Sequence, residues 1–291
     1  VFNKSFYESN DLIASISKVT YDVVSEVTDK VENIYLPHAV DSKFFKPLNK
    51  EEVQKIKKQQ GLEDKFIFFW NNRNARRKLS GSLVYWFKKF CDRVDRDKVV
   101  LIMHTDPSDP YGQDLEHLIN HFGVNSGEIM ISRDKIPPDQ LSMMYNIADC
   151  TINVSDAEGF GLATLESLAC GTPIIATMTG GLQEQVTDGE NWFGIGIEPS
   201  SKALIGSQQV PYIFEDRING EHLIEALEKM YNMPAEEREA LGSKGREHVM
   251  KNYNFEDYKS SWVDTMDKVH KDHGSWESRK NYSRWTLQKI N

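Results

Sequence analysis

The sequence has little cysteine, no long apolar run and no surplus of positive charge, and each shortage removes a class of protein. Three cysteines stand in 291 residues: Cys91, Cys150 and Cys170. They are odd in number, form no C-x-x-C pair and sit in apolar helical or strand contexts, so they read as reduced core thiols of a cytosolic protein. No run approaches 18 consecutive apolar residues and no internal repeat or low-complexity tract appears, which argues against a membrane span and a solenoid. The formal net charge of −9 argues against general nucleic-acid binding, which needs a Lys/Arg surface to displace counterions from phosphates. Any anion site must be local. Familiar signatures are missing too. Gly194-Ile-Gly196 lacks the third glycine and the strand–helix context of a nicotinamide-binding G-x-G-x-x-G, no G-x-x-x-x-G-K-S/T occurs, and neither G-x-S-x-G nor H-E-x-x-H is present. The first residue is Val1 rather than Met; the expectation is an excised or truncated chain, for which the lack of a signal peptide says little.

What is there is a regular alternation. With 39 % apolar and 11 % aromatic residues the chain can bury a core of one large domain or one and a half. Short apolar runs read as strands: 12–17, 33–38, 65–70, 98–104, 128–132, 149–154 and 172–177. Amphipathic segments separate them, including a helix opened by Ser17, SGSLVYWFKKFCDRV, GQDLEHLINHF, Pro138 to Ile147 and Leu162 to Ala169. Strands that are apolar throughout, joined by helices, predict a doubly wound α/β domain: a parallel sheet covered on both faces by right-handed crossovers. Residues 186–218 read as a long polar loop, and from Asn219 the chain turns helical to its end.

The segment Asp156-Ala-Glu-Gly-Phe-Gly-Leu-Ala-Thr-Leu-Glu166 follows directly on the strand DCTINV. Ligands of doubly wound sheets sit beyond the carboxyl ends of strands. The glycines let backbone approach a ligand closely, and a helix starting near Leu162 aims free N–H groups and its positive end at the same place, which suits a diphosphate. Glu158 in the loop and Glu166 in the helix are carboxylates that accept from hydroxyls. Together they fit a ligand carrying vicinal hydroxyls at both ends, as a nucleotide sugar does. Arg73, Arg76, Arg77 and Lys78 gather after the strand FIFFW and offer positive charge in an otherwise acidic chain.

EGFGLATLE resembles the E-x7-E motif of the retaining GT-B glycosyltransferases of glycosyltransferase family four. PHAVDSKFFKP (37–47) is similar to that family's interdomain segment, with Ala39 where glycine is usual. FIFFWNNRNARRKLSG resembles its G-R-x-x-x-x-K-G segment, with Asn72 and Leu79 in place of the flanking glycines. ACGTPIIATMTGGLQEQV (169–186) matches its A-x-G-x-P-V-I-A-x-x-x-G-G-x-x-E-x-V run, and the resemblance covers roughly residues 10–270. It implies that Arg73 and Lys78 neutralise the diphosphate and stabilise the leaving nucleotide. Glu166 would hold ribose hydroxyls, and Glu158 hydroxyls of the transferred sugar at the reacting centre. Backbone amides of Phe160, Gly161 and Leu162, with Gly180 and Gly181, would contact sugar and phosphates, and Arg133 falls where the family's base-binding loop lies. The implied reaction is transfer of a hexose from a UDP- or GDP-sugar with retention at the anomeric carbon and no essential metal or other cofactor. Asp95-Arg96-Asp97 spells the D-x-D of metal-dependent glycosyltransferases of the other fold, but precedes a strand and reads as helix-end charge.

Family members carry a whole N-terminal domain for the acceptor. The resemblance therefore implies residues 1–41 as a remnant of that domain with the linker, 42–255 as the Rossmann-like donor domain, and 256–291 as C-terminal helices that pack back on the N-terminal domain. The acceptor, a glycan, a lipid-linked sugar or a small molecule, is not written in the sequence. An alternative from another class is a nucleotide-sugar binding or assembly module without activity of its own, its acceptor half on another chain. An epimerase or phosphorylase of related fold is disfavoured, since no pyridoxal-lysine context is found. The expected location is cytoplasmic. Trp276, Arg279, Lys280, Arg284 and Trp285 would suit a peripheral contact at the inner membrane face, but docking on the missing domain explains them more simply. His104, His38 and Trp262 read as structural: satisfied or exposed histidines and a helix-packing ring.

Overall fold

The structure is a computed structural model that describes residues 2–210, 212–275 and 277–280; Trp276, Arg284 and Trp285 lie outside the described residues. The chain divides into two units, residues 1–37 with 256–291, and residues 38–255. The first begins with helix α1 (Phe2–Tyr7), strand β1 (Leu12–Ser15), helix α2 (Lys18–Val27) and strand β2 (Glu32–Tyr35). Ser17 caps α2 as expected, its hydroxyl accepting from the Thr20 amide at 3.2 Å. β1 and β2 pair in parallel, which requires the α2 crossover.

The second unit holds α3 (Lys50–Gln59), β3 (Phe66–Asn71), α4 (Ser80–Cys91), β4 (Val99–His104), α5 (Leu115–His121), β5 (Ile129–Ser132), α6 (Pro138–Ile147), β6 (Cys150–Asn153), α7 (Leu162–Ala169), β7 (Ile174–Thr177), α8 (Gln183–Val186), β8 (Gly194–Ile197), β9 (Ser201–Ile205), β10 (Ile213–Arg217), α9 (Gly220–Asn232) and α10 (Ala235–Asn252). The chain then returns to the first unit with α11 (Phe255–His273). Six strands form one sheet in the order β5-β4-β3-β6-β7-β8, all parallel. The doubly wound α/β expectation holds. β3 lies between β4 and β6, and its residues Ile67 to Trp70 have no exposed surface, the reason the run is apolar on both faces. Phe68 meets Phe87 and Phe90 of α4 edge to face, with centroids 5.9 and 5.6 Å apart; burying each ring contributes roughly 1.5–3 kcal/mol. All three cysteines are buried and unpaired.

The reading of 186–218 as a polar loop is corrected. It contains β8, one of the two edge strands of the main sheet, and an antiparallel hairpin of β9 and β10. β8 escapes detection because Gly194-Ile195-Gly196-Ile197 carries two glycines, and Gly194 is there for space: a Cβ on it would lie 2.0 Å from the Ile174 carbonyl oxygen. The hairpin escapes because Gly206 to Tyr212 is no tight-turn signature. Helix α3 is a further element without a sequence expectation. It has a capping box between Asn49 and Glu52, but only Val53 and Ile56 mark its apolar face. Asp95 accepts from the Asp97 amide and caps a short 3-10 turn, so the D-x-D is local charge at an element end.

Candidate functional site

Strand order places the site. From β3 the chain proceeds outward to β4 and β5, and it returns to pair β6 on the other side of β3 before proceeding to β7 and β8. β3 and β6 are thus the topological switch point, and the loops leaving their carboxyl ends flank one crevice. These are the basic loop 72–79 and the acidic, glycine-containing loop 154–161.

Buried Asn74 shapes the basic loop. Its amide donates to the carbonyls of Gln113 at 2.7 Å and Pro107 at 3.3 Å, and its Oδ1 accepts from the Ser80 hydroxyl at 2.6 Å. A 3-10 turn, Arg76–Lys78, then leads into α4 through Leu79 at φ 53°, the one non-glycine residue with positive φ among the described residues. The left-handed conformation expected of a glycine is kept here without one. The two loops are laced: the Asp156 amide and the Ser155 hydroxyl both donate to the Arg77 carbonyl, at 2.8 and 3.0 Å. Lys78 points its ammonium at Glu158 Oε2 in a salt bridge whose side chains are 9 % and 10 % exposed. Burial pushes the Lys78 pKa down, against the pull of Glu158. Arg77 stands 3.5 Å from the same carboxylate oxygen and donates to the Ala157 carbonyl at 2.8 Å.

Gly161 precedes α7 with φ +99°, a conformation disfavoured for any side chain. Gly180 adopts φ +50°, and a Cβ there would lie 1.7 Å from the Glu158 carbonyl oxygen, so the 179–182 turn presses directly on the loop. The Gly181 amide donates to that carbonyl at 3.2 Å. Phe160 is buried and meets His38 edge-on at 5.1 Å, and Leu162 is half exposed on the first turn of α7. One turn deeper, Glu166 accepts the Tyr145 hydroxyl proton at 2.6 Å, and the same hydroxyl accepts from Asn71 at 2.8 Å. Burial raises the Glu166 pKa, with the Tyr145 hydrogen bond opposing, and burial raises that of Tyr145 well above its ordinary value.

Of the expected site residues the structure brings Lys78, Glu158, Phe160, Gly161, Gly180 and Gly181 together. Arg73 has its contacts elsewhere: its guanidinium donates to Asp109 at 2.6 and 3.2 Å and lies over the Tyr111 ring. The hydrogen bond to Asp109 raises its pKa further. Arg133 forms a salt bridge with Glu116. His104 shares a 2.9 Å hydrogen bond with Ser132, a structural histidine as expected. Sequence reasoning missed Asn71, Asn74 and Tyr145, most of whose partners lie tens of residues away; the asparagines of NNRN at the end of β3 were the available signal. Among the described residues no group of three His, Cys, Asp or Glu side chains is arranged to hold a metal ion, and no helix is long and apolar enough to cross a membrane.

A six-stranded parallel sheet with cations and carboxylates facing each other across its switch point defines a doubly wound domain of the Rossmann-like kind. Residues 50–248 match the family of glycosyl transferases group 1, and the chain belongs to that family. It is 28 % identical over 178 residues to the alpha-monoglucosyldiacylglycerol synthase of Streptococcus pneumoniae, covering 60 % of this chain and 38 % of that protein. Among solved structures it is similar to sucrose-phosphate synthase from Thermosynechococcus elongatus, with TM-score 0.74 and 22 % identity over 93 % of this chain and 61 % of that one. It is also similar to Anabaena Alr3699/HepE in complex with UDP-glucose, with TM-score 0.70 and 14 % identity over 89 % and 64 %. The matches thus span between 38 % and 64 % of these proteins' lengths. The fold is of the expected Rossmann-like, GT-B type.

Proposed function

We propose that this chain is the donor-binding part of a retaining hexosyltransferase that uses a nucleotide diphosphate sugar. The observation that carries the reading is the buried Lys78–Glu158 pair at the β3/β6 switch point, beside the glycines of two neighbouring loops. A diphosphate entering there competes with Glu158 for the Lys78 ammonium, freeing the carboxylate for hydroxyls of the sugar. Arg73, itself exposed, reaches the diphosphate by leaving Asp109, a small cost for a pair with one partner in solvent. Amides of Phe160, Gly161, Leu162, Gly180 and Gly181 bind sugar and phosphates, Glu166 holds the ribose, and Arg133 lies toward the base. UDP is supported by the UDP-glucose complex of the Anabaena protein, with GDP the second candidate. The pneumococcal relative's name, a monoglucosyldiacylglycerol synthase, supports a lipid as the acceptor. Residues 1–41, 42–255 and 256–291 serve as acceptor-side remnant with linker, donor domain and returning helices. The site forms fully only against an acceptor domain.

The test follows nucleoside diphosphate release from UDP-glucose and GDP-mannose with diacylglycerol vesicles as the acceptor, by the chain alone and after adding an acceptor-side domain from a full-length relative. Turnover that appears on addition, with the donor's α configuration kept in the product by proton NMR, is the expected result. Inverted product overturns retention. Binding of a nucleotide sugar without turnover under either condition favours the assembly-module alternative.

A further inference from the structure

The base of the β9–β10 hairpin touches all three loops of the candidate site. The Asp216 amide donates to the Asp156 carbonyl at 2.8 Å, and the Asp216 carboxylate accepts from the Thr179 hydroxyl at 2.6 Å. Thr179 immediately precedes Gly180-Gly181, and Asp156 lies two residues before Glu158. Glu215 accepts from Arg76 of the basic loop at 2.5 Å through one oxygen and from Arg217 at 3.0 Å through the other. Arg76 and Arg217 also converge on one oxygen of Asp156, at 3.3 and 3.1 Å. Asp156 and Glu215 are 3 % and 5 % exposed, so these bonds form where water competes little and geometry is well fixed. The residues reach the loops from a hairpin whose outer half is exposed and makes no part of the core: Leu204, Val210, Tyr212 and Phe214 face solvent. A hairpin needed only for stability would bury that apolar surface; this one invests its buried polar contacts at one end, against the loops after β3, β6 and β7.

We infer that Glu215, Asp216 and Arg217 are positioning residues, a clasp that fixes the three loops of the nucleotide-sugar site in one relative geometry. The inference rests on the donor-site reading. The Thr179–Asp216 bond holds the turn that carries Gly180 and Gly181 against the Glu158 loop, and the Arg76–Glu215 bond holds the turn that carries Lys78. Loss of either lets those groups drift, and a shift of roughly 1 Å in a binding constellation costs on the order of tenfold to a hundredfold.

The experiment is calorimetric titration of the full chain with UDP and GDP, alongside thermal unfolding. It uses Asp216→Ala, Thr179→Val, the double variant, Asp216→Asn, Glu215→Gln and a hairpin-tip control, Gln208→Ala with Gln209→Ala. The clasp predicts Kd raised about tenfold or more in Asp216→Ala and in Thr179→Val at temperatures well below unfolding. It predicts no further loss in the double variant, since both remove one bond, recovery in Asp216→Asn, which keeps an acceptor, and an unchanged tip control. If the base variants lower the unfolding temperature but bind nucleotide like the parent, the hairpin is structural and the clasp is overturned; Glu215→Gln, whose single remaining acceptor oxygen cannot serve both Arg76 and Arg217, is predicted to raise Kd likewise and decides the matter should the Asp216 variants fail to fold. If Glu166→Ala abolishes binding while every clasp variant retains it, the donor reading stands and this inference alone fails. If the parent chain binds neither nucleotide, both fail.

Discussion

Lys78 and Glu158 have side chains only 9 % and 10 % exposed, and they are unequal partners. Glu158 has a second cation in Arg77 at 3.5 Å; Lys78 has no second carboxylate within salt-bridge distance among the described residues. Stranding a buried charge costs about 3–5 kcal/mol. Glu158→Ala therefore lowers the unfolding free energy by about 3 kcal/mol and Lys78→Ala by clearly less, as urea denaturation will show; equal losses would mean that the pair is not held as described. Glu166 gives a pH signature. Its pKa is raised by burial, so the ionised form that would accept ribose hydroxyls costs folding free energy. The sign follows: this contribution to stability is most favourable below the ordinary carboxylate range and falls as pH rises through the elevated pKa. Nucleotide binding runs the other way, weakening as acidification passes through the same elevated value. Glu166→Gln at neutral pH is expected to unfold at a higher temperature than the parent, to bind nucleotide more weakly, and to lose that pH dependence. Any dependence left belongs to the phosphate, whose second pKa is near 6. A less stable Gln variant with undiminished binding would contradict the role.

At the scale of elements the decisive feature is the entry to α4. Leu79 holds a left-handed conformation that costs an L residue about 1–2 kcal/mol, yet its side chain packs against the core. Leu79→Gly and Leu79→Ala both lose that packing, but only glycine relieves the backbone, so the glycine variant should be the more stable by about 1 kcal/mol in urea unfolding. An alanine variant as stable as the glycine one would show that the turn stores no strain. The same loop shows how far sequence carries. The strands of the main sheet other than β8 announced themselves through continuous apolar runs, and α6 and α7 through Pro138 and the Gly161–Leu162 boundary, because burial on both faces and helix starts are local constraints. The Lys78–Glu158 meeting followed from strand order once β3 and β6 were known to be neighbours. Illegible were contacts whose partners are set by packing alone. Tyr145 reaches Glu166 from another helix, and Arg73 turns to Asp109 because the β4 loop lies beside it. The hairpin carrying Glu215 and Asp216 was hidden in a polar stretch with no tight turn.

Across the whole molecule, an acidic chain places four cations, Arg73, Arg76, Arg77 and Lys78, on the loop leaving β3, beside the glycine-containing loop that follows β6. Residues 38–255 form a unit by themselves, and the family match lies inside it, at residues 50–248. A donor site carried by that unit alone should bind the nucleotide part of its substrate without any acceptor-side domain. The most direct measurement is calorimetric titration of the chain with UDP, GDP and ADP, repeated on Glu166→Ala and Arg73→Ala. Binding of one nucleotide with Kd between about 1 µM and 1 mM, some −8 to −4 kcal/mol, and lost in both variants, is the predicted result. A folded chain that binds none of the three, or binds one equally well without Glu166 and Arg73, would contradict the assignment.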